Sequence, residues 1–284
     1  MRKRLIAFVL ALIMLVGVFT ATASTVSAKK TFANDYGVFL SLNSNKKTMK
    51  KLAGYKTIVI DVQNDFTKED IRKLRKAGHK VYSYINVGSI ENYRDYYDNF
   101  RDVMLGVYEN WEDERWVDVS QKKWQDFILN DLANRIKATG VDGFFVDNVD
   151  VYYVYKDAAF GAGIYDGLET ILKGLSQKGK VIINGGDTFV SEYYEKNGSL
   201  DGILDGVNQE SVFTRIIDYD KNKFGKSDKD SEKYFISYLK KVKKCKKKVY
   251  LLEYTKNKRL KKKIKNYCKK KGYKYYISGN LNLS

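Results

Sequence analysis

The sequence predicts a single (β/α)8 barrel carrying a long aromatic and acidic insertion after its third strand. Three observations predict it. Eight short, apolar, β-branched or aromatic runs are spaced along the chain. Helix-period segments lie between most of them, and alternating strand and helix builds a parallel sheet. The chain beyond residue 28 is 256 residues long, close to the ~250 typical of one closed barrel.

Residues 1–28 are set apart. Met1 to Arg4 is basic, Leu5 to Phe19 is almost unbroken apolar sequence, and Val26-Ser27-Ala28 supplies small residues for cleavage. This pattern is read as a secretory signal peptide cut after Ala28. The apolar run is short for a membrane span of roughly 20 residues, so no stable span is expected after cleavage. Residues 29–284 then form one domain, with no proline and no Gly/Ser linker to divide them. A hydrophobic fraction of 44% is enough for a sizeable core.

The eight expected strands are Tyr36–Leu42, Thr57–Val62, Lys80–Val87, Gly143–Val149, Lys180–Asn184, Gly202–Val207, Lys248–Tyr254 and Tyr273–Ser278. Before Ile71, Leu74 and Ala77, Thr67-Lys-Glu-Asp70 has the form of a capping box. Trp124, Phe127, Ile128, Leu132 and Ile136 make an apolar stripe at helical spacing, as do Leu168, Ile171, Leu172 and Leu175. Gly54, Gly78, Gly140, Gly179 and Gly272 stand where helices should end. The excursion from Ser89 to Ser120 is rich in Tyr, Trp and acidic residues and should sit over the barrel mouth.

The formal charge is +18, and much of the excess lies between Lys240 and Lys274. These lysines interleave with Leu260, Ile264 and Tyr267 at helical spacing, which reads first as a solvated helix face. A basic exported protein can also meet an anionic cell-wall polymer. No specific nucleic-acid motif is present. The two cysteines, Cys245 and Cys268, lie near the ends of successive expected helices, and a disulfide and two free thiols are both open. The single histidine, His79, precedes a strand and is read as structural.

The chemistry gathers at strand ends. Val141-Asp-Gly-Phe-Phe-Val-Asp-Asn-Val-Asp150 is a buried strand tipped with Asp147, Asn148 and Asp150. Strand two ends on Asp61, and strand three on Asn86, with Glu91 beyond it. Strand five ends on Asn184 and Asp187, strand six on Asn208, Gln209 and Glu210, and strand seven on Glu253. In a barrel these points face one another around one mouth. Carboxylates, carboxamides and aromatics without a usable histidine, cysteine or metal motif suit glycoside hydrolysis, which needs two carboxyl groups astride the glycosidic bond. No cofactor and no metal motif is implied: neither an EF-hand loop nor a phosphate loop is present, and a carboxylate-bound Mg²⁺ or Ca²⁺ stays open.

Four stretches carry a resemblance to a known family. They are Tyr82-Ser-Tyr-Ile-Asn-Val-Gly-Ser-Ile-Glu-Asn-Tyr-Arg94, Trp116-Val-Asp-Val119 with Trp124, Gly143-Phe-Phe-Val-Asp-Asn-Val-Asp150, and Asp205-Gly-Val-Asn-Gln-Glu-Ser-Val-Phe213. In order and spacing they resemble the endo-α-1,4-polygalactosaminidase family, glycoside hydrolase family 114, and its bacterial relatives. The resemblance implies a barrel hydrolase with one catalytic carboxylate after strand four and one after strand six, which are Asp147 and Glu210 here. Asp147 is then assigned as nucleophile and Glu210 as general acid/base of a retaining mechanism. Asp61, Glu91, Asn148, Asp150, Asp187 and Glu253 are expected to bind substrate. So are Asn86, Asp118 and Asn184, with Tyr93, Trp111 and Trp116 as stacking faces.

The expected activity is that of an exported or wall-associated, monomeric enzyme cutting within an amino-sugar polysaccharide. The alternatives are a non-catalytic glycan- or wall-binding protein on the same barrel, and a basic wall- or membrane-associated scaffold. One feature conflicts with a cationic substrate: the chain as a whole is strongly basic.

Overall fold

The computed structural model describes residues 31–109 and 111–284. The expected signal segment, 1–28, lies outside the described residues. Thirteen strands follow one another among the described residues. They are β1 Asn34–Phe39, β2 Tyr55–Ile60, β3 Lys80–Asn86, β4 Ser89–Glu91, β5 Met104–Tyr108, β6 Trp111–Val117 and β7 Gly143–Asp147. After them come β8 Lys180–Asn184, β9 Gly206–Glu210, β10 Thr214–Asp218, β11 Lys223–Lys226, β12 Lys248–Tyr254 and β13 Lys274–Ser278.

Eight of them form one parallel sheet in the order β1-β2-β3-β7-β8-β9-β12-β13. Its last strand returns beside its first. The Tyr276 ring lies 5.2 Å from Phe39 and 6.1 Å from Tyr55, and Lys274 pairs with Asp35 at 3.4 Å. No ladder hydrogen bonds join β13 to β1 among the described residues, so the barrel is nearly closed and its seam is held by side chains.

The strands sort their residues by parity, because successive side chains point to opposite faces. Tyr36, Val38, Val59, Tyr82, Tyr84 and Phe145 fill the barrel interior together with Ile182, Tyr250, Leu252 and Tyr254. Their odd-even partners, such as Ile58, Ile60, Phe144, Val146, Ile183 and Leu251, face the helix layer. That layer includes the helix Gly161–Lys178, which buries Leu168, Ile171, Leu172 and Leu175 on the expected stripe. The Thr67 capping box is present, with Asp70 returning the hydrogen bond. The Trp124 stripe is helical too, but Phe127–Leu132 winds as a π-helix within it. Cys245 and Cys268 are free thiols, and burial pushes Cys268 up to about 12.

One expectation needs correction. The sixth strand is not Gly202–Val207 but Gly206–Glu210. Ile203 and Leu204 are buried ahead of it and drew the expected boundary forward. The strand itself, Gly-Val-Asn-Gln-Glu, is mostly polar because its inward positions line the mouth. Within the expected insertion after β3, β4, β6 and β5 make a three-stranded antiparallel sheet. A hairpin of β10 and β11 follows β9.

Close backbone approach fixes the strands that carry the mouth. A Cβ on Gly143 would stand 2.0 Å from the Lys180 carbonyl oxygen, its partner across the β7–β8 pair. Gly143→Ala must therefore part these strands. It is expected to destabilise the fold by about 1–3 kcal/mol, read as a lower denaturant midpoint with an unchanged slope.

Candidate active site

Three adjacent strands end at the same level and deliver the central groups. Asp147 closes β7, Asn184 closes β8 and Glu210 closes β9. The residue after each is left-handed: Asn148 at φ 60°, Gly185 at φ 65° and Ser211 at φ 55°. Such a residue stops strand pairing abruptly and turns the chain away, leaving the preceding side chain at the rim. The conformation costs about 1–2 kcal/mol for a residue with a Cβ. At Gly185 space forbids one as well, since a Cβ would lie 2.4 Å from Asp150 Oδ2.

One amide joins the two carboxylates. Asn184 Nδ2 donates to Asp147 Oδ1 at 2.9 Å and to Glu210 Oε1 at 2.8 Å, so these oxygens are at most 5.7 Å apart. The amide cannot turn over without loss. Its oxygen accepts from Asn208 Nδ2 at 2.6 Å, and Asn208 Oδ1 accepts from the Tyr36 hydroxyl at 3.0 Å. Tyr254 donates its hydroxyl to the second oxygen of Glu210 at 2.8 Å.

These carboxyl groups are partly open to the cavity yet surrounded by protein. Burial, and then the Asp147 charge, push Glu210 up to about 7 against the hydrogen bonds from Asn184 and Tyr254. Burial also raises Asp147, opposed first by the Asn184 hydrogen bond and then by the Asn148 backbone N–H. Burial and nearby Glu210 hold the Tyr254 phenol well above its ordinary value, so it remains a donor.

The pair opens into a cavity of about 410 Å³. Among the described residues its walls carry six carboxylates, Asp61, Glu91, Glu114, Asp147, Asp150 and Glu210, against one cation, Arg94. Arg94 is spent on two of them. It reaches Asp61 Oδ2 and Glu91 Oε1, each at 2.9 Å, and all three side chains are buried. Glu91 stands directly opposite Glu114 across β4 and β6. Burial and then that like charge push Glu114 up to about 7. Asp150 accepts the Gly186 N–H with both oxygens at 3.1 Å, and burial and then Asp187 raise it to about 7.

Most of the expected residues meet here. Asp61, Glu91, Tyr93, Trp111, Asn148, Asp150 and Asn184 line the cavity with the two acids. Tyr93 and Trp111 are 69% and 44% exposed, and the Arg94 guanidinium lies 5.1 Å from the centre of the Tyr93 ring. Five expected residues do not line it. Asn86 is buried and binds Ser89. Trp116 is buried against Tyr108, with ring centres 4.3 Å apart. Asp118 accepts from Ser120 and Gln121 within its own turn. Asp187 starts the helix Asp187–Asn197 and accepts from Tyr234. Glu253 faces the helix layer, fully buried, and holds Phe213 N and Thr214 Oγ1 in the segment after Glu210.

Other cavity residues were not singled out from the sequence: Tyr84, Arg94, Tyr108, Glu114 and Tyr254. The signal for two of them was parity. Tyr84 and Tyr254 share the inward register of Tyr82 and Leu252. Glu114 had no local signal, because its place depends on the pairing of β4 with β6. Among the described residues, no group of three or more His, Cys, Asp or Glu side chains is arranged to hold a metal ion.

Known proteins share this architecture. The glycoside hydrolase domain of PelA from Pseudomonas aeruginosa superposes with a TM-score of 0.74 at 16% identity, over 88% of this chain and 95% of that one. Aspergillus fumigatus Ega3, solved in complex with galactosamine, gives a TM-score of 0.68 at 17% identity, over 92% and 96%. At such identities the likeness is one of fold. An uncharacterized protein of Methanocaldococcus jannaschii is 24% identical over 195 residues, 56% of this chain and 55% of its own length. The chain thus spans about half the length of that curated relative. The family model of glycoside-hydrolase family GH114 matches residues 19–178, which include Asp147 and stop short of Asn184 and Glu210. With more than half of its length matched, the chain belongs to glycoside-hydrolase family GH114.

Proposed function

We propose that this protein is an exported glycoside hydrolase that cuts within an amino-sugar polysaccharide, with Asp147 as nucleophile and Glu210 as general acid/base. The observation that carries the reading is the Asn184 amide shared by the two carboxylates. The two N–H bonds of an amide diverge, which holds the accepting oxygens about 5 Å apart. Retaining enzymes need ~5–5.5 Å, whereas inverting ones leave ~6.5–9.5 Å for a water.

In the first step Glu210, protonated, gives its proton to the glycosidic oxygen as that bond breaks. The Asp147 carboxylate attacks the anomeric carbon from the opposite face and forms a glycosyl ester. In the second step the Glu210 carboxylate takes a proton from water, and the resulting oxygen attack on the anomeric carbon releases Asp147. Glu210 suits both steps because its proton is held near neutrality. The acidic mouth supports a substrate bearing ammonium groups, and the Ega3 structure with galactosamine points to the same class. Tyr93 and Trp111 offer faces to sugar rings further along the chain.

Partially deacetylated galactosaminoglycan tests the reading. Glu210→Gln and Asp147→Asn are each expected to lower kcat by about 10²–10⁴, and the first product released by the wild type should keep its anomeric configuration in proton NMR. Inversion, or Glu210→Gln activity within tenfold of wild type, defeats the assignment.

The pH profile gives a second check. Glu210 must be protonated for the first step, so kcat/KM should fall as pH rises through about 7. Tyr254→Phe removes a donor that favours the charged form. The alkaline limb should then move upward by about one pH unit, and a downward move contradicts the role given to Tyr254.

A further inference from the structure

The residues from Lys240 to Lys274 hold eighteen lysines and arginines against a single carboxylate, Glu253. Glu253 is fully buried and bound to the segment after β9. These residues cover the end of the helix Lys229–Lys244, the start of β12, the helix Lys258–Lys271 and the start of β13. The two helices are neighbours, tied by Lys263 to Glu232 at 2.7 Å. Among the described residues only two more of the eighteen enter ion pairs, Lys247 with Asp201 and Lys274 with Asp35.

The fold does not account for this charge. The helix Lys258–Lys271 is anchored by Leu260, Ile264 and Cys268, and its nine cations face no acid on the same helix. Like charges at i, i+4, as in Lys258 with Lys262 and Lys261 with Lys265, cost about 0.2–0.5 kcal/mol each. Favourable interaction with the helix dipole reaches only the last turn. The strand starts add to the patch. Partial burial, and then Lys80, hold the Lys248 ammonium below its ordinary value, with Asp205 opposing and Lys180 and Lys274 contributing.

We propose that this face docks a linear phosphodiester polymer of the polyol-phosphate kind, which holds the enzyme by its back and side while the mouth stays free. Lysines dominate, and ammonium groups act as point charges toward a flexible polyanion rather than as bidentate readers. No large apolar side chain is exposed between Lys240 and Lys274. A helix lying in a membrane interface needs such side chains, and so does a surface that stacks bases. Near the mouth the face begins at a cavity of about 520 Å³ beside the β10–β11 hairpin, lined by Lys226, Arg259 and Lys263. The strand ends that form the mouth lie at the opposite pole from the helix end Lys269–Lys271.

Purified polyglycerol phosphate, phosphatidylglycerol vesicles and duplex DNA are the probes. The protein should bind the polymer at ~0.05 M salt and lose at least about tenfold in affinity by ~0.5 M. K262E/K265E/K269E should weaken polymer binding about tenfold with melting temperature and turnover of a short soluble substrate unchanged. K46E/K47E/K50E makes the same change of charge on the exposed face of the helix Lys46–Leu52 and should leave binding near wild type. Equal losses in the two variants overturn the proposal, since net charge alone would then explain binding. No polymer binding at low salt, or tighter binding to vesicles or DNA than to the polymer, overturns it as well.

Discussion

The mouth depends on one amide. Two carboxyl groups about 5 Å apart repel by about 3 kcal/mol at the effective dielectric of a protein site, and burial adds to the cost of charging both. Asn184 offsets part of this by donating one hydrogen to each. It does so only because its oxygen is held by Asn208, and Asn208 by Tyr36 from β1 across the barrel. A residue at the first strand thus sets the orientation of a group at the fifth barrel strand. The offset is partial: burial, and then the remaining repulsion from Asp147, keep a proton on Glu210 near neutrality.

The geometry of that amide rests in turn on where three strands stop. Had β7, β8 and β9 run on by one residue, parity would have sent Asn148, Gly185 and Ser211 to the helix layer and left the acids inside a paired sheet. The left-handed residues prevent this, two of them at a conformational cost. Asp150 and Gly185 show how tightly the turns interlock. The carboxylate that holds Gly186 N occupies the space a side chain at 185 would need.

Much of this was legible in the sequence because a barrel repeats a simple rule. Seven of the eight barrel strands fall on the expected runs, since apolar β-rich segments separated by helical stripes have few other arrangements. The sixth escaped because the mouth makes its inward residues polar, so function erased the hydrophobic signal of Gly206–Glu210. Cavity-lining residues were legible at strand ends, but position along the chain does not say which way a side chain points. Glu253 and Tyr254 are adjacent, yet the first braces Phe213 behind the sheet and the second touches Glu210. Counting parity from Tyr250 and Leu252 separates them. No such count reaches Glu114 or Arg94, whose neighbours come from the pairing of β4 with β6 inside the insertion and from the turn after β4.

The basic composition no longer conflicts with a cationic substrate. Charge acts locally in salt solution, where the screening length is about 8–10 Å. A barrel strand of five to seven residues is about 17–23 Å long. Lysines at the amino ends of the strands are therefore about two screening lengths from the mouth. The field that a substrate meets there comes from six carboxylates and Arg94. Two of those carboxylates are already engaged by Arg94, and Glu114, Asp150 and Glu210 share protons near pH 7. An arriving ammonium group favours the charged form of each. It lowers their affinity for protons and thereby releases protons as it binds. Net charge describes the whole surface, whereas attraction at the mouth is set by how these few groups share their protons.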